Sequence, residues 1–158
     1  HRPIVNLVSF ETRSRIVDLM RRYAEAVDRS DWEAVKSCYF ADAYDDHGVV
    51  KGDRDALVSH FAHALKSFSG TLHLVGEPEI EQESPSRFLV RTPSLAFHWA
   101  ERGTGTKSLL MGALYDDIVE IRGEECAVAR RTVIVKDAIE YEGEAREWPL
   151  AKFFARST

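Results

Sequence analysis

Asp28 is an acidic residue whose position requires a partner. It follows Val27 at the C-terminal end of a predicted amphipathic helix. A carboxylate is unfavourable there because the helix dipole is negative at that end. Asp28 therefore needs a cationic or hydrogen-bond-donating neighbour. Two interpretations stay open: Asp28 ends the helix and pairs with Arg29 or Arg131, or it belongs to a functional site.

His73 has the side chain best suited to exchange protons near neutral pH, since imidazole titrates in that range. Alternation along residues 71–76 places His73 on one face of a predicted strand and Leu72 and Leu74 on the other. His73 lines a pocket if its face is interior. It points outward if the leucines pack beneath the helices. Strand parity leaves both possibilities open.

Other polar and aromatic residues could hold or polarise a substrate oxygen. His98 stands between Phe97 and Trp99, which point the opposite way on a strand. Tyr23 and Tyr115 fit either a pocket or the core. The candidates for substrate binding are Tyr23, Tyr44, His98, Trp99, Tyr115 and Arg131.

Helical patterns come first along the chain and strand patterns follow. Apolar residues at helical spacing predict helices at 10–29, from Trp32 to about Tyr39, and from Asp53 or Asp55 to about Phe68. A short extended piece is predicted at about 44–50. The strands are predicted at about 71–82, 87–101, 107–121 and 126–136, with turn residues between them. Residues 138–158 are ambiguous, although Trp148, Phe153 and Phe154 suggest that this tail docks.

This order of elements predicts one α+β domain over residues 1–158. Three N-terminal helices should pack on a strongly curved, mostly antiparallel sheet and form a cone-shaped barrel. The interior of such a cone suits a small, largely apolar molecule.

Composition excludes several classes of function. The net charge of −5 and the scattered basic residues argue against nucleic acid as a partner. The apolar runs are too short to cross a bilayer, so no membrane partner is expected. Cys38 and Cys126 lack zinc or redox spacing, which is typical of reduced thiols in a soluble cytoplasmic protein.

No cofactor or metal motif stands out in the sequence. Asp45, Asp46 and His47 are adjacent and precede Gly48, a pattern we interpret as an exposed turn and not as a metal site. His60 and His63 share a helix face but lack a third ligand, so a solvated face is the better interpretation. We expect no metal and no cofactor.

Several strings in the chain resemble the SnoaL-like branch of the NTF2-like superfamily. The resemblance covers most of residues 16–136, and it is specific for the fold but weak for function. The strings are Arg22 to Trp32, Cys38 to Ala43, Asp46-His47-Gly48, Gly112 to Asp117, and Ala129 to Thr132.

The resemblance implies a catalytic pair. Scytalone dehydratases and hexachlorocyclohexane dehydrochlorinases pair an Asp at the end of the first helix with a His after the third helix, and Asp28 and His73 occupy these places. His98 is the counterpart of a second dehydratase histidine, by a looser match. A carboxylate on one imidazole nitrogen would fix the tautomer and stabilise the imidazolium, which suits proton abstraction from carbon.

The resemblance therefore predicts a cofactor-independent lyase of dehydratase or eliminase type, acting on a small hydrophobic substrate with an aromatic or other ring. Two alternatives stay open. One is a double-bond isomerase similar to ketosteroid isomerase, and the other is a non-catalytic binding or accessory subunit like the small subunit of ring-hydroxylating dioxygenases. The family also implies a homodimer or homotrimer.

Overall fold

Three helices form one layer of the protein. The computed structural model describes residues 8–142. Side chains of Ser9, Asp31 and Asp53 each accept a hydrogen bond from a backbone N–H in the first helical turn. The helices are α1 (Phe10–Asp28), α2 (Trp32–Ser37) and α3 (Arg54–Ala64), and a 3₁₀ turn (Leu65–Ser67) follows α3.

The second layer is a single curled sheet of seven strands. Its order is β2-β1-β7-β6-β5-β3, and β4 also pairs with β5. All strand pairs are antiparallel except β1 with β7, which is parallel. The strands are β1 (Tyr39–Asp46), β2 (Lys51–Gly52), β3 (Gly70–Val75), β4 (Glu79–Ser84), β5 (Arg87–Trp99), β6 (Ser108–Arg122) and β7 (Glu125–Tyr141).

The predicted α+β architecture is confirmed: three helices pack on a mostly antiparallel, strongly curved sheet. The core lies between α1 and the inner sheet face. Ile16, Leu19 and Met20 of α1 are almost fully buried there, as are Val119 and Val128 of the sheet. Burying such side chains contributes roughly 1.5–3 kcal/mol each.

The stretch predicted as one strand at 71–82 forms two strands. β3 pairs with the C-terminal half of β5, whereas β4 pairs with its N-terminal half. Between them the Gly76 N–H donates to the carbonyl oxygen of Pro93 at 2.8 Å, and Pro78 has no N–H to continue a ladder. The chain therefore changes direction at residues 76–78.

Several predicted boundaries also shift. β1 begins at Tyr39, so the second helix is shorter than predicted and the extended piece starts earlier. The predicted third helix ends its regular α-helical part at Ala64. β7 continues to Tyr141, opposite Ser108 of β6. The remaining tail, including Trp148, Phe153 and Phe154, lies outside the described residues.

Candidate functional site

Asp28 and His73 meet where the end of α1 packs against β3. Nδ1 of His73 lies 2.7 Å from Oδ1 of Asp28. The backbone N–H of His73 donates to Oδ2 of Asp28 at 2.9 Å. The Thr71 hydroxyl donates to Oδ1 at 2.9 Å. Three donors from one short strand thus hold the carboxylate that ends α1.

The structure decides which face of β3 is interior. Leu72 and Leu74 lie on the outer face and are 48% and 58% exposed. Thr71, His73 and Val75 point to the inner face, towards the helices. His73 therefore shares the inside of the cone with Asp28, and the carboxylate pairs with neither Arg29 nor Arg131.

The hydrogen bonds set the charge of Asp28. Burial alone would raise its pKa, but the bonds from the His73 ring, the His73 backbone and Thr71 outweigh burial, so the pKa of Asp28 lies below its ordinary value. An ionised Asp28 accepts a proton-bearing Nδ1 of His73 as a donor. In the neutral form of the His73 imidazole, Nε2 is then the nitrogen without a proton.

His73 lines a partly open cavity of about 80 Å³ between the helices and the inner sheet face. This volume is several times that of one water molecule. The apolar lining residues are Val27, Phe61, Leu65, Ala96, Met111, Ala113 and Val133. The polar lining residues are Tyr23, His47, His73, Ser94, His98 and Tyr115.

A larger and more open groove of about 300 Å³ lies elsewhere on the sheet. Its lining carries both signs of charge, with Arg91 and Arg130 beside Asp116. We place the candidate site in the smaller cavity, since a mostly apolar concave space with a few converging polar groups is typical of small-molecule sites.

His98 is the second histidine of the cavity wall. Its ring lies edge-on to His73 at 5.4 Å between centroids and packs on Phe68 at 5.2 Å. The residue is 7% exposed, and its Nδ1 has no hydrogen-bond partner among residues 8–142. Burial, assisted by His73, lowers the pKa of His98 to about 4. His98 is therefore neutral at pH 7 and has one nitrogen to offer to a ligand.

Tyr23 and Tyr115 line the cavity as well, and burial raises the pKa of both phenols. They stay protonated and can donate hydrogen bonds. Arg131, in contrast, does not line the cavity. It is fully buried behind the tyrosines, with its guanidinium 4.3 and 4.2 Å from the ring centroids of Tyr23 and Tyr115.

Arg131 forms a bidentate pair with Asp117, at 2.8 and 2.7 Å. Burial would lower the pKa of Arg131, but the charge of Asp117 raises it well above its usual value. Arg131 was predicted to bind substrate, and the structure places its guanidinium inside the wall, paired with Asp117 and outside the lining of this cavity. Arg131 supports the tyrosines from behind.

Tyr44 and Trp99 also lie away from the cavity. Tyr44 is 41% exposed and packs under Arg130, and Trp99 is 38% exposed on the outer sheet face against Phe97. Strand alternation explains both positions, because each residue has the parity opposite to its buried neighbours. The structure therefore does not bring these two predicted substrate-binding residues together with His73 at the cavity.

His47 belongs to the cavity, although the sequence was interpreted there as an exposed turn. Asp45 lies on β1 with 1% of its surface exposed, and its Oδ1 bonds Nδ1 of His47. The Tyr39 hydroxyl donates to Oδ2 of Asp45 at 2.9 Å. Residues 45 and 47 share strand parity, which was the signal that could have predicted this pair.

The described part of the chain contains neither a candidate metal site nor a candidate membrane-spanning helix. Residues 8–142 contain no group of three or more His, Cys, Asp or Glu side chains placed to hold a metal ion. No helix in this range combines the length and the apolar character of a membrane span. Cys38 and Cys126 are both free.

Comparison with known proteins identifies the family. The SnoaL-like domain matches residues 8–132. The chain belongs to the SnoaL-like family. No curated protein sequence matches this chain significantly.

Solved structures share the fold of this SnoaL-like chain. A candidate scytalone dehydratase from Novosphingobium aromaticivorans is 20% identical with a TM-score of 0.72, over 81% of this chain and 86% of that one. A type 2 hexachlorocyclohexane dehydrochlorinase is 18% identical with a TM-score of 0.77, over 88% and 95%.

A third structure, a type 3 hexachlorocyclohexane dehydrochlorinase from Novosphingobium barchaimii, is 17% identical with a TM-score of 0.74, over 88% of this chain and 96% of that one. At such identities the likeness shows the fold and not the activity.

Proposed function

We propose that this SnoaL-like protein is a cofactor-independent lyase that eliminates a small fragment from a small hydrophobic, cyclic or aromatic substrate. The observation that carries the proposal is the hydrogen bond between Asp28 and His73 at the wall of the apolar cavity. The family and its dehydratase and dehydrochlorinase neighbours support a lyase-type activity.

His73 acts as the base in this proposal. Asp28 accepts the hydrogen bond from Nδ1–H of His73, which leaves Nε2 for the substrate. Nε2 then takes a proton from a substrate carbon next to an electron-withdrawing group. The positive charge that develops on the imidazole is stabilised by the carboxylate 2.7 Å away. The apolar lining strengthens this interaction because it lowers the local dielectric constant.

Three neutral groups are candidates to bind the substrate oxygen whose charge increases during proton removal. Tyr23 and Tyr115 present protonated phenols, and His98 presents an Nδ1 that has no hydrogen-bond partner within the described range 8–142. Donors placed before the reaction stabilise an enolate without reorganisation. These three residues, and not Tyr44, Trp99 or Arg131, form the proposed binding set.

A double-bond isomerase would use the same first step, and the fate of the proton separates the two activities. In an elimination a fragment leaves, whereas in an isomerisation the proton returns to another carbon. A non-catalytic accessory subunit would perform neither step.

Deuterium exchange tests the base independently of the leaving group. The protein is incubated in D₂O with a panel of cyclic ketones that carry hydroxyl, chloro or no substituent at the β carbon, and NMR follows α-carbon exchange and product formation. We expect exchange and elimination with the wild type. His73→Ala and Asp28→Asn should lower both rates on the order of 10²–10⁴-fold.

His63→Gln is the matched control, since His63 is an exposed histidine on α3 outside the cavity. It should leave the rates unchanged, and circular dichroism should show that all variants fold. Full activity in both His73→Ala and Asp28→Asn would refute the acid–base pair. Exchange without elimination would favour the isomerase, and no exchange at all would favour the accessory role.

We also propose that the outer sheet face mediates self-association. Directly opposed residues form an apolar row across β3, β5, β6 and β7. Leu72 is 48%, Leu110 39% and Ile139 55% exposed along this row. Monomers rarely leave such contiguous apolar surface uncovered. The row consists of Leu72, Phe97, Leu110 and Ile139.

A further inference from the structure

The cavity wall carries a second histidine–carboxylate pair, formed by His47 and Asp45. Asp45 accepts hydrogen bonds from His47 through Oδ1 and from the Tyr39 hydroxyl through Oδ2. Both carboxylate oxygens are thus engaged, and the Asp45 side chain is 2% exposed. As in the first pair, the carboxylate holds Nδ1 and leaves Nε2 of the imidazole for the cavity.

The two pairs approach the cavity from opposite ends of the sheet. His47 follows β1 and His73 lies in β3, and β7, β6 and β5 separate these strands. The curl of the sheet brings both histidines to one cavity. The Nε2 atom of His47 lies 3.4 Å from the hydroxyl oxygen of Tyr23, which also lines that cavity. Both imidazoles therefore border the space that a ligand would occupy.

Charge balance distinguishes the two histidines. Asp45 and Asp117 are both buried, and the guanidinium of Arg131 is already paired bidentately with Asp117. A buried carboxylate without a cation is costly. The imidazole of His47 is the hydrogen-bond partner that Asp45 has in this place. Asp28, in contrast, already receives hydrogen bonds from the Thr71 hydroxyl and a backbone N–H, so it is stabilised without a charge on His73.

We infer that His47 is the general acid of the site and protonates the oxygen of a departing hydroxyl group while His73 removes the carbon-bound proton. This inference rests on the proposed lyase function and extends it to a named leaving group.

The step balances as follows. Nε2 of His73 takes the proton from the α carbon, and the electron pair of that bond forms the new double bond. The bond between the β carbon and oxygen breaks with its pair on oxygen. The proton on Nε2 of His47 goes to this oxygen, so water leaves. After product release His73 returns its proton to solvent and His47 takes one up.

The leaving group follows from the chemistry of the acid. Hydroxide is a poor leaving group and needs a proton as the bond breaks, whereas chloride leaves as a stable anion and gains little from general acid catalysis. A site that keeps a second proton-bearing imidazole on a buried carboxylate therefore suits a cyclic β-hydroxy carbonyl compound. The product is the conjugated enone.

A pair of probes that differ only in the leaving group tests the role of His47. Wild type, His47→Gln, His73→Gln and His63→Gln are each assayed with β-hydroxycyclohexanone and β-chlorocyclohexanone by the absorbance of the enone. His47→Gln should lose on the order of 10²-fold in kcat on the hydroxy ketone and change little on the chloro ketone. His73→Gln should lose activity on both, and His63→Gln on neither.

The outcomes separate this inference from the proposed function. If His47→Gln retains wild-type kcat on the hydroxy ketone while His73→Gln is inactive, the general acid is refuted and the lyase proposal stands. If His47→Gln loses activity equally on both probes, His47 positions the substrate, and the inference is again overturned. A wild type that eliminates neither group overturns the lyase proposal itself.

Discussion

The buried imidazole of His98 should make the protein sensitive to mild acid. The ring packs between Phe68 and His73, and burial is the largest cause that lowers its pKa from 6.5 to about 4. Its neighbour His73 lowers the pKa further, and Asp28 partly offsets both effects. The folded protein thus keeps His98 neutral over a range in which an unfolded chain protonates it.

The size of the effect follows from the difference in proton binding. Between about pH 6.5 and 4 the unfolded chain binds more protons at this residue than the folded protein does, so the free energy of unfolding rises with pH through this window. A tenfold change in proton affinity is worth about 1.4 kcal/mol. At about pH 5 the loss from His98 alone is therefore roughly 2 kcal/mol relative to pH 7.

Urea unfolding of wild type and His98→Gln at pH 7, 6 and 5 measures this loss. Glutamine does not titrate, so the variant should lose roughly 2 kcal/mol less than the wild type over this range. The absolute stability of the variant also changes, and for that reason the slopes with pH are compared. The carboxylates and the other histidines are common to both proteins, so the comparison isolates the contribution of His98.

Two results would refute the reasoning. One is a pair of parallel stability curves for wild type and variant. The other is an NMR titration in which the His98 ring protonates near its ordinary pKa in the folded protein. Either result would mean that the imidazole is solvated or that it has a hydrogen-bond acceptor for its charged form.

Two further predictions concern the buried ion pair and the outer sheet face. Arg131→Met should lower the free energy of unfolding by roughly 3–5 kcal/mol, because Asp117 loses its buried partner; urea unfolding measures this, and the pair would be dispensable if the variant were as stable as the wild type. Leu110→Glu with Ile139→Glu should shift the protein to monomers in sedimentation velocity, since both lie in the apolar row; a wild type that is already monomeric would contradict the self-association proposal.

Local patterns in the sequence predicted most of the fold. Helical spacing placed α1 correctly because its apolar stripe faces the core throughout. The predicted strand at 71–82 was wrong as a single element, since alternation continues across residues 76–78 although the backbone bends there. Pairing with two different parts of β5 causes this bend, and no local pattern reports it.

The candidate site was predicted only in part, because it also depends on contacts between distant parts of the chain. His73 and Asp28 were named together through the family resemblance, while parity left the inner face of β3 undecided. Asp45 and His47 were interpreted as an exposed turn because adjacent polar residues usually are solvated. Their burial depends on Tyr39, Phe61 and the curl of the sheet, which are contacts from distant parts of the chain.

Sequence by itself determined the order and type of the elements, the alternation that separates inner from outer residues, and the chemical nature of the imidazoles and carboxylates. These properties are local, because they depend on helix and strand periodicity and on side-chain type. Tertiary structure alone decided that His47, His73 and His98 line one cavity, that Asp28 bonds His73 at its wall, and that Arg131 lies behind that wall. Curling a sheet so that β1 and β3 face one cavity is a property of all its strand pairs together, which no single stretch of residues encodes.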